Sequence, residues 1–224
     1  TVRLAGERDT LGLYLTGHPI VQYERELKAI TSGRIADVAG ARPVNGSEGP
    51  RWQAGRSVTV AGLVLEVRRR GNRTTLMLDD RSGRLEVSLF DETFQQYRTI
   101  VARDAILVVE GQLRFDEFIE GWRLTAKRIA DIDQAREQFA RRLIIRWPAT
   151  GDGEAFVSEL EACLKPFRRG ACGVAVHYRS AAARAALELP EEWSVRPTRE
   201  LMDQLEQLVG HDGVQLIYAP RLDA

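Results

Sequence analysis

Between Ser57 and Ile132 apolar and polar residues alternate in short runs broken by turn signals, the period-two pattern of half-buried strands. Ser57–Arg70 (SVTVAGLVLEVRRR) predicts a long β-branched strand with Gly62 inside it. Glycine within a strand marks a bulge or strong bend. Arg70-Gly71-Asn72-Arg73 predicts a turn, Arg73–Asp80 a second strand, Arg81-Ser82-Gly83 a tight turn and Arg84–Phe90 a third strand. In the third, Leu85, Val87 and Leu89 alternate with Glu86 and Ser88. Asp91–Val101 changes period: Phe94, Tyr97 and Val101 share a helical face, and Asp91 suits the N-cap. Ala105–Phe115 and Trp122–Ile132 predict two more strands around an acidic turn, DEFIEG. Strand, strand, strand, helix, strand, strand is the order of the OB-fold, a five-stranded Greek-key barrel.

Upstream, Glu7–Ile30 predicts two helical pieces broken at Thr16-Gly17-His18-Pro19, with Pro19 in the first turn of the second. Gly40–Gly55 is rich in Gly, Pro and Ser and predicts a long connection. Downstream, Asp133–Arg142 predicts a helix, Leu143–Trp147 a strand, and Gly153–Phe167 an amphipathic helix ended by Pro166. Cys172–Tyr178, Arg184–Leu189 and Glu191–Pro197 predict strands. A helix capped by Thr198 and stopped by Gly210 then leads to a closing strand at Val214–Tyr218. Two strand-helix-strand halves in one layer are expected. The predicted fold class is therefore α+β: a five-stranded OB-fold β-barrel preceded by short helices and followed by a small α/β two-layer domain. The expected divisions are a lead-in and linker at 1–55, the barrel at 56–132 and a terminal domain at 133–224.

Charge narrows the function only locally. The 224 residues carry 32 basic and 32 acidic side chains, so nucleic-acid binding must come from a patch rather than a global field. The two cysteines, Cys163 and Cys172, have neither disulfide-framework nor zinc spacing, and a reducing, cytoplasmic setting is expected. There is no signal-peptide pattern, no apolar run long enough for a membrane span and no initiator Met. The chain reads as a piece of a longer protein.

Asp79-Asp80 raises the question of a metal-binding carboxylate pair. It precedes a turn, where aspartate accepts backbone N–H bonds, and neighbours in a strand point to opposite faces. The turn reading is preferred. The histidines His18, His177 and His211 are scattered, and no nucleophile elbow or phosphate loop is present. Catalytic, metal and cofactor sites are not expected.

The conspicuous cluster is Arg68, Arg69, Arg70 and Arg73 around the first hairpin, with Arg123, Lys127 and Arg128 on the fifth strand as possible extensions. Arginines in that loop of an OB-fold suit phosphate contact and base stacking. The acidic loop Asp116–Glu120 opposes phosphate, so weak single-stranded DNA binding is expected. Phe90, Phe118 and Trp122 can stack on bases or fill the barrel. Trp193, beside Glu191 and Glu192, suits an interface anchor or the domain's own core.

GLYLTGHP (Gly12–Pro19), LDDRSGRLEVSLF (Leu78–Phe90), VVEGQLRFDEF, IADIDQAREQFARRL, VHYRSAAARAAL, WSVRPTRELMDQLEQLVG and VQLIY together resemble the C-terminal region of bacterial DNA polymerase III alpha subunits. The resemblance covers essentially the whole chain. It implies a barrel near the single-stranded template and a terminal domain that binds the clamp-loader tau subunit, with polymerase chemistry and the main sliding-clamp motif upstream. It also implies partner contact at Trp193, and at Leu216 and Tyr218, whose segment Gln215–Tyr218 keeps part of a clamp-like sequence found at the end of some relatives. A free-standing single-strand-binding protein would need more basic excess. An aminoacyl-tRNA synthetase fragment would need catalytic motifs.

Overall fold

The computed structural model describes residues 18–40, 55–117, 120–147, 152–179 and 183–219. The first predicted helical piece and the 41–54 part of the connection lie outside them, as do Phe118 and Ile119. The chain forms two compact units that divide between Ile132 and Asp133.

In the first unit, β1 (Arg56–Arg70), β2 (Arg73–Asp79), β3 (Arg84–Phe90), β4 (Ile106–Asp116) and β5 (Gly121–Ala130) close into a barrel in the order β1-β2-β3-β5-β4. The first strand serves two partners: Arg56–Leu63 pairs with β4, and Leu63–Arg70 pairs with β2. Gly62 sits where it changes partner. A Cβ there would lie 2.9 Å from Leu78 Cβ and 3.1 Å from the Asp79 nitrogen, so glycine permits the close crossing. The bulge itself falls between Val64 and Glu66, not at Gly62. Inward residues Val60, Leu76, Leu78, Val87, Leu89, Val109 and Leu124 are wholly buried, as period-two patterning requires.

Ahead of the barrel, a 3₁₀ turn at Pro19–Tyr23 runs into α1 (Glu24–Ile30), followed by α2 (Ile35–Val38), which the sequence did not suggest. His18 caps the turn, its Nδ1 accepting from the Ile20 N–H at 3.3 Å. Between β3 and β4 lies α3 (Asp91–Tyr97). Its N-cap is Phe90, with no side-chain cap. Asp91 instead takes Arg69 Nη2 at 3.0 Å, so the expected aspartate cap is corrected to an ion pair across the barrel.

The second unit starts with α4 (Ile132–Phe139) and holds β6 (Ala140–Arg146), α5 (Gly153–Leu164), β7 (Arg168–Arg179), β8 (Arg184–Glu188), α6 (Arg199–Val209) and β9 (Val214–Tyr218). The sheet order is β8-β7-β6-β9. The two halves are not alike. Strands β6 and β7 are parallel neighbours around α5, whereas β8 and β9 occupy opposite edges. The predicted strand at Glu191–Pro197 is replaced by a 3₁₀ turn at Glu191–Trp193 and two isolated bridges from Val195 to Arg168 and Cys172. The helix α6 is capped by Thr198 Oγ1, which accepts from the Leu201 N–H at 3.3 Å. It buries Leu201, Met202 and Leu205, with Leu208 partly buried against the same core, an apolar face at helical spacing.

Candidate functional site

Cross-strand partners share a face of a sheet, so pairing register lays out the outer surface of the barrel row by row. The row nearest the first hairpin is Arg70, Arg73, Phe90. Next come Arg68, Thr75, Ser88 and Thr125, then Glu66, Met77, Glu86 and Arg123. The hairpin turns at Gly71, which has φ 55°, a left-handed value that suits glycine.

Arg70 and Arg73 are directly opposite, both exposed. Like charges in that relation cost stability. Neither has a carboxylate partner among the described residues, and Arg73 lies over the Phe90 ring, 5.5 Å from its centroid. Phe90 itself is 52% exposed. A flat ring beside Arg73, with Arg70 next along the same row, is chemically suited to a base and its neighbouring phosphates.

Of the other nominated cations, Arg128 on β5 is also exposed without a carboxylate partner among the described residues, whereas the rest are engaged. Arg68 Nε donates to Glu66 Oε1 at 2.6 Å, and this bond raises its pKa. Arg69 is held by Asp91 and lies 5.2 Å from the Phe94 centroid. Lys127 Nζ donates to the Gln112 side-chain carbonyl at 3.2 Å when that amide is oriented to suit its neighbours. Arg123 is not part of the hairpin patch. It bridges Glu86 at 2.7 Å and Asp116 at 2.8 Å, so its charge is already matched. Trp122 packs edge-on against Phe115, centroids 5.5 Å apart, and adjoins the barrel core.

Sequence reading missed a second cationic border. An open groove of about 730 Å³ beside the β1 bulge is lined by Leu65, Met77, Arg84 and Arg103, among others. Arg84 pairs with Asp79 at 3.0 Å, while exposed Arg103 has no partner among the described residues. Arg103 is far from the arginine run in sequence, and only the loop that bonds Val64 carries it there.

Asp79 and Asp80 are occupied by the turn. Asp80 Oδ1 accepts from the Ser82 and Gly83 N–H groups at 2.9 and 3.1 Å, and its Oδ2 accepts from the Ile35 N–H at 2.8 Å. Asp79 takes the Arg81 N–H at 2.8 Å and lies 3.6 Å from His18 Nε2. Burial lowers the His18 pKa, outweighing the pull of Asp79.

In the second unit, Trp193 is half-buried against the core, and the Arg168 guanidinium covers its ring at 4.4 Å. Arg168 Nε also donates to the Glu192 carbonyl at 2.8 Å. Leu216 and Tyr218 pack against the same core, and Ile217 is the exposed member of β9. Burial raises the thiol pKa of Cys172, to about 11.

These features define a protein with a nucleic-acid-type barrel and an attached α/β unit. A family model described as an OB-fold nucleic acid binding domain matches residues 58–132. A second, described as the C-terminal domain of DNA polymerase III subunit alpha, matches residues 159–210. DNA polymerase III subunit alpha of Vibrio cholerae is 44% identical over 96% of this chain, and that of Escherichia coli K12 is 41% identical over 96%. The Pseudomonas aeruginosa subunit is 38% identical over 96%. The chain belongs to the DNA polymerase III alpha family, in its C-terminal region, and spans 18% of the length of these relatives. Among solved structures, asparaginyl-tRNA synthetase from Pyrococcus horikoshii is 19% identical over 50% of this chain and 29% of that one, with a TM-score of 0.32. That likeness bears on no functional point.

Proposed function

We propose that this region contributes binding rather than chemistry to a replicative polymerase: the barrel contacts single-stranded template DNA, and the terminal unit tethers the clamp-loader tau subunit. The observation that carries the first part is the Arg70–Arg73–Phe90 row. Phosphates sit against the two arginines and a base stacks on the ring, a mode tolerant of sequence. Glu66 and Glu86 hold Arg68 and Arg123, which takes those cations out of phosphate contact and keeps the binding weak.

Fluorescence anisotropy with a labelled oligothymidylate, repeated across salt concentrations, tests this. Replacing Arg70 and Arg73 by Ala removes two phosphate contacts, so the log–log salt slope should shrink by about 1.4, at roughly 0.7 per contact on single strands. Phe90→Ala should weaken binding by about 1–3 kcal/mol with the slope unchanged. Arg123→Ala should leave the slope as it was. Equal slopes for wild type and the double variant would remove the hairpin from the interface.

For the terminal unit, the family resemblance supports tau as partner and Trp193 as the leading contact. Trp193→Ala should weaken binding to tau's C-terminal domain by at least about 2 kcal/mol in calorimetric titration. Because the ring also touches the core, thermal melts must accompany the titration. Arg168→Ala uncovers the ring without leaving a cavity beneath it, and separates a surface role from a packing one.

A further inference from the structure

The two edges of the β8-β7-β6-β9 sheet are unlike. Strand β9 is mostly half-buried, and its ladder with β6 shifts register between Ala140 and Arg142. Strand β8 is exposed at all five positions, and its register with β7 runs unbroken from Arg179–Arg184 to Ala175–Glu188. It contains no Pro, Gly or Lys, the devices that blunt an edge. Leu187 on it is 51% exposed.

The strand, RAALE, is also complementary to itself. Laid antiparallel on a second copy with Ala186 on the two-fold axis, Arg184 falls opposite Glu188 of the partner subunit, twice. Leu187 falls opposite Ala185 of the partner subunit, also twice. Opposite charges directly across a ladder favour the pairing, and a two-fold arrangement closes on itself. Arg184 has no partner among the described residues. Glu188 already holds Arg142 at 3.0 Å, so the incoming Arg184 adds to an existing carboxylate–guanidinium pair.

We infer that β8 is a docking edge for β8 of a second copy of this chain, joining two sheets across a two-fold axis. The interface is small. Five residues a side stand below the area of standard stable complexes, so the dimer forms at high protein concentration and exchanges rapidly.

Sedimentation velocity over a concentration series is the test. The wild-type chain should rise from 25.2 kDa toward twice that mass. Arg184→Glu alone, and Glu188→Arg alone, each set like charges across the ladder and should weaken the dimer at least about tenfold. An equimolar mixture of the two variants places opposite charges at both sites and should recover wild-type association. Recovery in the mixture also shows that neither change has unfolded its own chain, and thermal melts of each variant check the same point. A wild-type chain that stays monomeric throughout, variants that associate unchanged, or a mixture that fails to recover would each overturn the proposal. If β8 instead receives an extended segment of another protein, the wild-type chain stays monomeric.

Discussion

Gly170→Ala is expected to destabilise the terminal unit by about 3 kcal/mol or more, at the upper end of overpacking. Gly170 lies at the start of β7, next to Arg169, which has φ 68°. Here the chain bends so that Arg168 and Cys172 both bridge Val195. The Gly170 N–H donates to the Ser194 carbonyl at 3.1 Å, and the Arg196 N–H donates to the Phe167 carbonyl at 2.9 Å. A methyl group on Gly170 would meet the Val195 carbonyl and the Arg196 nitrogen. Those are backbone atoms, which cannot swing aside as a flexible side chain does. Relief requires the crossing segment to lift, which exposes Val195, now wholly buried, and shifts Trp193 beside it. At roughly 4 °C or more per kcal/mol for a unit of this size, the melting temperature should fall by at least about 12 °C. Gly173→Ala is the control on the same strand. Its added methyl would lie 3.7 Å from the Arg141 carbonyl, an ordinary contact. A melt that drops equally for both would show that glycine content, and not the crossing, sets the stability.

This crossing was hidden in the sequence for a physical reason. Ser194-Val195-Arg196 reads as a strand because it bonds like one, but only at single points against an irregular stretch of β7. Pattern reading sees local period and misses a partner that is itself out of register. The barrel was legible because its signals are local. Leu85, Val87 and Leu89 alternate, Gly71 turns the hairpin and Phe94 and Tyr97 share a helical face. The arginine run was legible as a run and its state was not. Whether Arg69 or Arg70 is free depends on Asp91, 22 positions away, and Arg123 is neutralised by Glu86 through the parallel β3–β5 pairing. Long-range pairing takes up Arg69 and Arg123 and leaves Arg70 and Arg73 without a carboxylate partner among the described residues. Likewise the polar neighbours of Trp193 gave no warning that Arg168 would lie across its ring.

Asp80→Ala is expected to cost about 2–4 kcal/mol, because it orphans several partly buried donors at once. One carboxylate receives the Ser82 and Gly83 N–H groups, the Ser82 hydroxyl and, from α2, the Ile35 N–H. Ser82 Oγ completes the join by accepting from the Ala36 N–H at 3.0 Å. Packing is tight at the same point: a methyl on Gly83 would stand 3.3 Å from Ile35 Cγ2. Asp80 therefore ties the lead-in helix to the β2–β3 turn as well as shaping the turn. The substitutions should grade accordingly. Asp80→Asn keeps an oxygen for the turn donors but presents an amide to the Ile35 N–H, so it should free α2 while sparing the turn. Asp80→Ala should loosen both, and Ser82→Ala should cost least. Hydrogen exchange at the Ile35 and Ala36 amides, with thermal melts, separates the two effects. Primer extension in Mg²⁺ supplies the opposing test. If Asp80→Asn left stability and exchange unchanged yet abolished a metal-dependent activity of this chain, the carboxylate would be a ligand and the turn reading would fail.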